Sequence, residues 1–263
     1  RLKLKTNASV VQLGGDIARW SHNGQDRVHL GAMAGYGNAQ LRSGSQQSGY
    51  SAKGEVDGYN VGLYATWYGN KDLQQNGLYV DSWVQHNWFS NDVNGDRRST
   101  ISYDSKGFSA SVEAGYSQKI GEFQDGRWFV QPQAQIIWSG VHADGVNDGR
   151  GSVIDSNNQD YWQSLIGLRT YLQGTSPANR AQIFQPFIEA NWLHNSRNYG
   201  TDYRMAQGTR HYESDTSKDM AEVKAGLEGK VSESLTVWGN VGHQFDAQHY
   251  QRTEGTLGIK YQF

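Results

Sequence analysis

The sequence predicts an all-β chain, a transmembrane antiparallel up-and-down β-barrel with apolar side chains turned outward. Three observations carry that reading. Apolar and polar residues alternate with period two in segment after segment, and helical spacing is missing. Many of these segments exceed ten residues, whereas strands of soluble proteins average about five or six and a tilted membrane-spanning strand takes about nine to eleven. Large aromatics recur on the apolar phase eight to ten residues apart. That separation projects to ~20–25 Å along a barrel axis, near the ~25 Å apolar band expected between two aromatic girdles.

Composition narrows the alternatives. The apolar fraction of 36% is low for a soluble core of 263 residues, yet 9 Trp, 15 Tyr and 8 Phe exclude a disordered chain. A net charge of −2 argues against a nucleic-acid partner, which requires a basic surface. Zero Cys removes disulfides, thiolate metal sites and Cys nucleophiles together. No apolar run is long enough for a helical span, so any membrane must be crossed by strands, whose alternation cancels in a mean hydropathy. With no start Met and no secretory signal, the chain reads as a mature or trimmed piece.

Eleven strands are expected, in order. Residues 7–20 come first, with Asp16 on the polar phase. In 26–38, Val28, Leu30, Ala32, Ala34 and Tyr36 alternate with His29, Gly31, Met33, Gly35 and Gly37. In 54–69 the apolar phase runs from Tyr59 to Trp67, and 77–91 places Asp81 and Gln85 on the polar phase. Segment 103–118 opposes Phe108, Ala110, Val112, Ala114 and Tyr116 to a polar face holding Glu113. Trp128 and Trp138 bound 126–139, whose polar phase is Gln131, Gln133 and Gln135. Arg169 lies in 158–173; Phe184, Trp192 and Glu189 lie in 182–195; Glu222, Lys224 and Glu228 lie in 218–230. Segment 233–246 is the tenth strand, and 252–263 ends on Leu257, Ile259, Tyr261 and Phe263 at steps of two. Pro132 and Pro186 fall inside strands, where a missing N–H interrupts the ladder, and are expected to mark bulges near one rim.

Connections alternate in length: short near 21–25, 70–76, 119–125, 174–181 and 231–232, long at 39–53, 92–102, 140–157 and 196–217, with 247–251 a short member of the second set. Outer-membrane barrels keep short turns in the periplasm, so Phe263 is expected there. An odd strand count sits badly with the even number usual in such barrels. A first strand upstream of Arg1, and a parent barrel of twelve, are therefore expected. Twelve strands leave a lumen of roughly 12 Å, wide enough for an extended chain or one helix and too narrow for a folded domain.

Segments HLGAMAGYGN (29–38), DGYNVGLYATWYGN (57–70), GLYVDSWVQHNWF (77–89), SVEAGYSQ (111–118), FVQPQAQIIW (129–138), LIGLRTYL (165–172), QPFIEANWLH (185–194) and LGIKYQF (257–263) occur in this order and spacing. Together they resemble the C-terminal translocator barrel of bacterial autotransporters, of the diffuse-adherence adhesin type, over essentially the whole of residues 1–263. The resemblance implies type V secretion in the outer membrane of a Gram-negative cell. It implies an N-terminal passenger exported to the surface, a linker helix in the pore, and no cofactor. Partners implied are the passenger and linker helix, the outer-membrane insertion machinery, periplasmic chaperones, and lipid with lipopolysaccharide.

Three sets of residues are candidates for function. Leu257, Ile259, Tyr261 and Phe263 match a C-terminal insertion signal, readable by strand addition to a free edge. Tyr59, Trp67, Phe108, Tyr116, Trp128, Trp138, Phe184 and Trp192 form aromatic girdles. Asp16, Asp81, Gln85, Glu113, Gln131, Gln133, Gln135, Arg169, Glu189, Glu222, Lys224 and Glu228 line the pore, because a Lys or Arg facing lipid costs about 2–4 kcal/mol at midplane. Their mixed signs lead to an expectation of ion pairs across the lumen. No residue is assigned a catalytic or metal-binding role. Passenger self-cleavage by Asp81, Glu113 or Glu189, an omptin-like protease using His86, His142, His194 or His211, and a passive porin stand as alternatives.

Overall fold

Period-two alternation lets one face of each strand meet hydrocarbon while the other turns its polar groups inside, and the computed structural model of the chain follows it along most of the barrel strands. The structure describes residues 2–45, 51–95, 100–143, 146–147, 153–156, 160–176, 178, 182–196, 200–205, 208–213 and 218–262. In chain order the strands are β1 (Leu2–Trp20), β2 (Arg27–Ser45), β3 (Ser51–Tyr68), β4 (Gly77–Gly95), β5 (Ile101–Phe123), β6 (Gly126–Ala143), β7 (Val146–Asn147), β8 (Val153–Ser156), β9 (Tyr161–Thr175), β10 (Ile183–Asn195), β11 (Gly200–Met205), β12 (Gly208–Glu213), β13 (Asp219–Lys230), β14 (Leu235–Phe245) and β15 (Tyr250–Gln262).

Eleven strands close into a barrel in the order β1-β15-β14-β13-β10-β9-β6-β5-β4-β3-β2, and β12-β11-β8-β7 form a separate small sheet. Each barrel strand is antiparallel to its neighbours except at the β1–β15 seam, which is parallel from Leu4↔Tyr250 to Asp16↔Gln262. Parity explains the exception. With an odd number of up-and-down strands, the first and the last point the same way, so closure between them has to be parallel.

Several sequence expectations change here. Segments 39–53 and 92–102 are mostly strand, since β2 runs to Ser45, β3 starts at Ser51, β4 reaches Gly95 and β5 starts at Ile101. Their outward residues are polar, so pairing persists where the apolar signal stops. Segments 140–157 and 196–217 contain β7, β8, β11 and β12 where only loop was expected. Segment 119–125 shrinks to a hairpin turn at Gln124 and Asp125, with Phe123 paired to Gly126 and Asp125 at φ +63°. Neither proline makes a bulge. The ladder on one side of Pro132 and of Pro186 is interrupted without any change of register, because each lacks an N–H but keeps extended geometry. The bulges lie between Asp16 and Ala18 and between Lys119 and Gly121, putting Ile17 and Ile120 out of step.

The outward surface is apolar over a continuous band. Val11, Leu13, Val61, Leu63, Val84, Val112, Ile136, Ile166, Leu168, Ile188, Val223, Leu227, Val241, Leu257 and Ile259 are all exposed. A soluble monomer rarely exposes more than a few hundred Å² of contiguous apolar surface. This band encircles the barrel. Toward the long-connection end the same outward phase turns polar, as at Lys5, Asn7 and Ser9 on β1 and Lys53, Glu55 and Asp57 on β3, so the sheet continues past the apolar band.

Candidate functional site in the barrel lumen

The inward phase forms a hydrogen-bonded wall. Along one register row Gln131, Arg169, Glu189 and Lys224 stand side by side on β6, β9, β10 and β13. Arg169 donates through Nε to Glu189 Oε1 at 2.8 Å, with Nη2 at 2.7 Å from the same oxygen and Nη1 3.7 Å from Glu228 Oε1. Its guanidinium lies 4.1 Å above the Phe187 ring. From Glu189 the chain of bonds continues through Asn191, which donates to Glu189 Oε2 at 2.7 Å and to Glu222 Oε1 at 2.9 Å. Gln244 donates to Glu222 Oε2 at 2.8 Å, and Lys224 Nζ approaches Glu222 at 3.9 Å. In the other direction Gln133 donates to Asn191 at 3.2 Å, Gln131 to Gln133 at 3.1 Å and to Tyr79 at 3.2 Å, and Tyr79 to Glu113 at 2.6 Å. Seven strands, β4, β5, β6, β9, β10, β13 and β14, are thereby tied by one polar network. Buried carboxylates and amides tolerate such a site only when each finds partners.

A second cluster straddles the seam. Asp16, 2% exposed, accepts a bond from Tyr64 Oη, lies 2.7 Å from His29 Nδ1, and is 3.1 Å from Lys260 Nζ of β15. Lys260 also sits 4.8 Å over the Tyr64 ring. Tyr64 reaches Asp16 by lying flat on Gly31, where a Cβ would meet its Cζ at 2.2 Å. Asp81 accepts from Thr66 at 2.5 Å, Gln85 donates to Asn87 at 2.8 Å, and Gln135 donates to Ser111 at 2.8 Å.

The expected cross-lumen ion pairs take another form. Those among the described residues run along the wall, within one strand or between adjacent or next-adjacent strands, because neighbours on the same face are already within reach. Nor is the lumen polar from end to end. Leu4, Leu165, Leu193, Met220 and Tyr250 pack inside near the long connections, and Phe129, Tyr171 and Phe187 near the short turns, with Phe129 and Tyr171 stacked at 4.9 Å. The charged belt lies between these apolar layers.

On the outer phase Tyr59, Phe108, Tyr116, Trp128, Phe184 and Trp192 are exposed, while Trp67 and Trp138 are half-buried. Trp67 Nε1 donates to Asp26 at 2.9 Å and Trp128 Nε1 to Thr170 at 2.5 Å. Asp26 organises the first short turn, accepting from Ser21 Oγ, His22 N and Asn23 N at 2.7–3.0 Å. Those bonds, the Asn23 amide foremost, hold its carboxyl well below the usual carboxylate range. Leu257, Ile259 and Tyr261 point outward on β15; Phe263 lies outside the described residues. His86 is wedged outward between the Trp88 and Phe108 rings at 4.4 and 4.6 Å, and His194 pairs with Asp219 at 2.7 Å. His142 is exposed and the side chain of His211 lies outside the described residues. Among the described residues no group of three or more His, Cys, Asp or Glu is placed to hold a metal.

Sequence reasoning did not single out Tyr64, Tyr79, Asn191, Gln244, His29 and Lys260 as site residues. The available signal was phase, since Tyr79 precedes Asp81 by two, Asn191 follows Glu189 by two, and Lys260 shares the inward phase of β15. Aromatics on that phase read as lipid-facing only if phase is ignored.

A family model described as the autotransporter β-domain matches residues 2–242. The chain is 43% identical over 270 residues to the Uncharacterized protein YuaQ of Escherichia coli (strain K12), covering all of this chain and 19% of that protein. It is 32% identical over 272 residues to the autotransporter adhesin AIDA-I of Escherichia coli, covering 99% of this chain and 20% of that protein. The chain thus spans about a fifth of the length of each of these two relatives. The crystal structure of the AIDA-I transport unit superposes with a TM-score of 0.79 at 31% identity, covering 96% of this chain and 81% of that one.

Proposed function

Because the chain belongs to the autotransporter β-domain family, we propose that residues 1–263 act as one outer-membrane translocator unit that exports an N-terminal passenger and anchors it at the cell surface. The observation that carries this reading is the pairing of a lipid-facing apolar band with a narrow, hydrogen-bonded interior. Eleven strands at ~4.8 Å spacing and ~40° tilt enclose roughly 10 Å after wall side chains are subtracted. Only an extended segment, or a slender helix once those side chains give way, fits. The wall network around Arg169, Glu189 and Glu222 is then the surface that a linker segment contacts.

In this reading the short turns and Tyr261 face the periplasm, the long connections face outside, and Leu257, Ile259, Tyr261 and Phe263 present the edge that insertion machinery and periplasmic chaperones recognise. A free porin fits less well, because Leu193 and Met220 belong to an apolar layer inside the barrel where an open aqueous channel would be polar. Catalysis has no dedicated constellation in this account, and passenger cleavage is not assigned to Asp81, Glu113 or Glu189.

A reporter peptide joined upstream of Arg1 through a flexible linker tests the reading in intact Gram-negative cells. The expected result is a reporter digestible by external protease while the barrel stays protected. A reporter held in the periplasm beneath a correctly inserted barrel would overturn it.

A further inference from the structure

Register places three cations side by side on the outward face of the sheet, beyond the apolar band. Lys5 on β1 is the direct partner of Arg42 on β2, and Arg42 is the direct partner of Lys53 on β3. All three are exposed, and none is in an ion pair among the described residues. Directly opposed residues stand about 5 Å apart, and like charges in that arrangement repel. A row of three is therefore costly to the free sheet and favourable only against an anion that spans it.

Position identifies the anion. Arg42 lies six residues beyond Tyr36, and Lys53 six residues beyond Tyr59, the two aromatics that mark the upper edge of the band and pack at 5.1 Å. Six residues make ~20 Å along a strand and ~15 Å along the membrane normal at ~40° tilt. The rows between carry the opposite sign. Glu55 and Asp57, exposed or half-buried and bound by Asn38 at 3.2 and 2.6 Å, follow below Lys53, with Asp92 and Asp104 beside them on β4 and β5. A phosphate close to the acyl chains meets carboxylates; one held ~15 Å higher meets three cations.

We propose that Lys5, Arg42 and Lys53 form a docking row for the phosphorylated saccharide headgroup of lipopolysaccharide in the outer leaflet. This rests on the outer-membrane orientation proposed above. The row selects a glycolipid whose phosphates stand well above its acyl chains, and it fixes how deeply the barrel sits.

The test uses the full 263-residue chain folded in nanodiscs, with the probe a rough-form lipopolysaccharide carrying a phosphorylated inner core, set against the same lipopolysaccharide with its core phosphates removed. The variant Lys5→Gln/Arg42→Gln/Lys53→Gln should bind the phosphorylated probe roughly a hundredfold more weakly than wild type. Wild type and variant should bind the dephosphorylated probe alike. Lys5→Arg/Lys53→Arg should retain affinity, and Lys71→Gln, in a short turn at the other end, should leave it unchanged. Equal affinity of wild type and triple variant for the phosphorylated probe, with both inserted normally, would overturn the docking row alone. A wild-type chain that fails to enter bilayers with its aromatics at the interfaces would overturn the membrane reading and the row with it.

Discussion

Tyr64 shows how a single side chain can decide whether the seam holds. Its hydroxyl reaches Asp16 only because Gly31 leaves the wall flat beneath the ring, and Lys260 closes the same cluster from the opposite strand. Tyr64→Phe removes one hydrogen bond to a buried carboxylate and should cost about 1–3 kcal/mol, read as a lower unfolding midpoint in detergent. Gly31→Ala should cost at least as much, because the new Cβ also meets the Gly15 carbonyl at 2.5 Å. If Gly31→Ala melts with wild type, the packing of Tyr64 does not hold the seam. Asp26 makes a prediction with a pH sign. Its folded carboxyl titrates below the unfolded one, so its contribution to stability is complete above the ordinary range near pH 4 and disappears as pH falls through the lower folded value. Asp26→Asn should therefore lower the midpoint at pH 7, with the gap to wild type narrowing steadily as pH falls below about 4. A gap that widens on acidification would contradict this.

The strands were legible because alternation is local: each residue reports its own face, and Val112 against Glu113 needs no knowledge of the partner strand. What alternation leaves unread is where a strand with two polar faces stops. That is why the ends of β2 and β4 and the small sheet β7, β8, β11 and β12 looked like loops. The two prolines illustrate the same limit, since only the register of both neighbours separates an open ladder from a bulge. For the lumen, sequence phase named the charged members of the network and missed its connectors, Tyr79, Asn191 and Gln244, whose neutral groups carry no distinctive signal. Arg169→Met leaves Glu189 and Glu228 without their cation, and should turn the pore more cation-selective in planar bilayers while insertion proceeds. A variant that loses insertion and keeps selectivity would remove Arg169 from the lumen's electrostatics. Leu193→Ser with Met220→Ser should raise single-channel conductance severalfold if their cluster narrows the path to water, as hydrophobic constrictions do. Unchanged conductance would place the constriction elsewhere.

For the molecule as a whole, closure and orientation follow from one division of side chains between hydrocarbon and water. The apolar phase is continuous around all eleven strands and the polar phase is largely hydrogen-bonded within, with Asn60 Oδ1 a buried exception. The native chain has no Cys, so single cysteines report their surroundings without background. Val112→Cys and Ile259→Cys on the outer phase, with Glu113→Cys and Gln133→Cys on the inner, can be spin-labelled in bilayers and exposed to oxygen, which partitions into lipid, and to a charged nickel chelate, which stays in water. The division described here predicts that oxygen relaxes the first pair strongly and the chelate barely, with the second pair shielded from lipid-borne oxygen. The reverse pattern, with Val112 and Ile259 shielded from oxygen in a common interior, would contradict it.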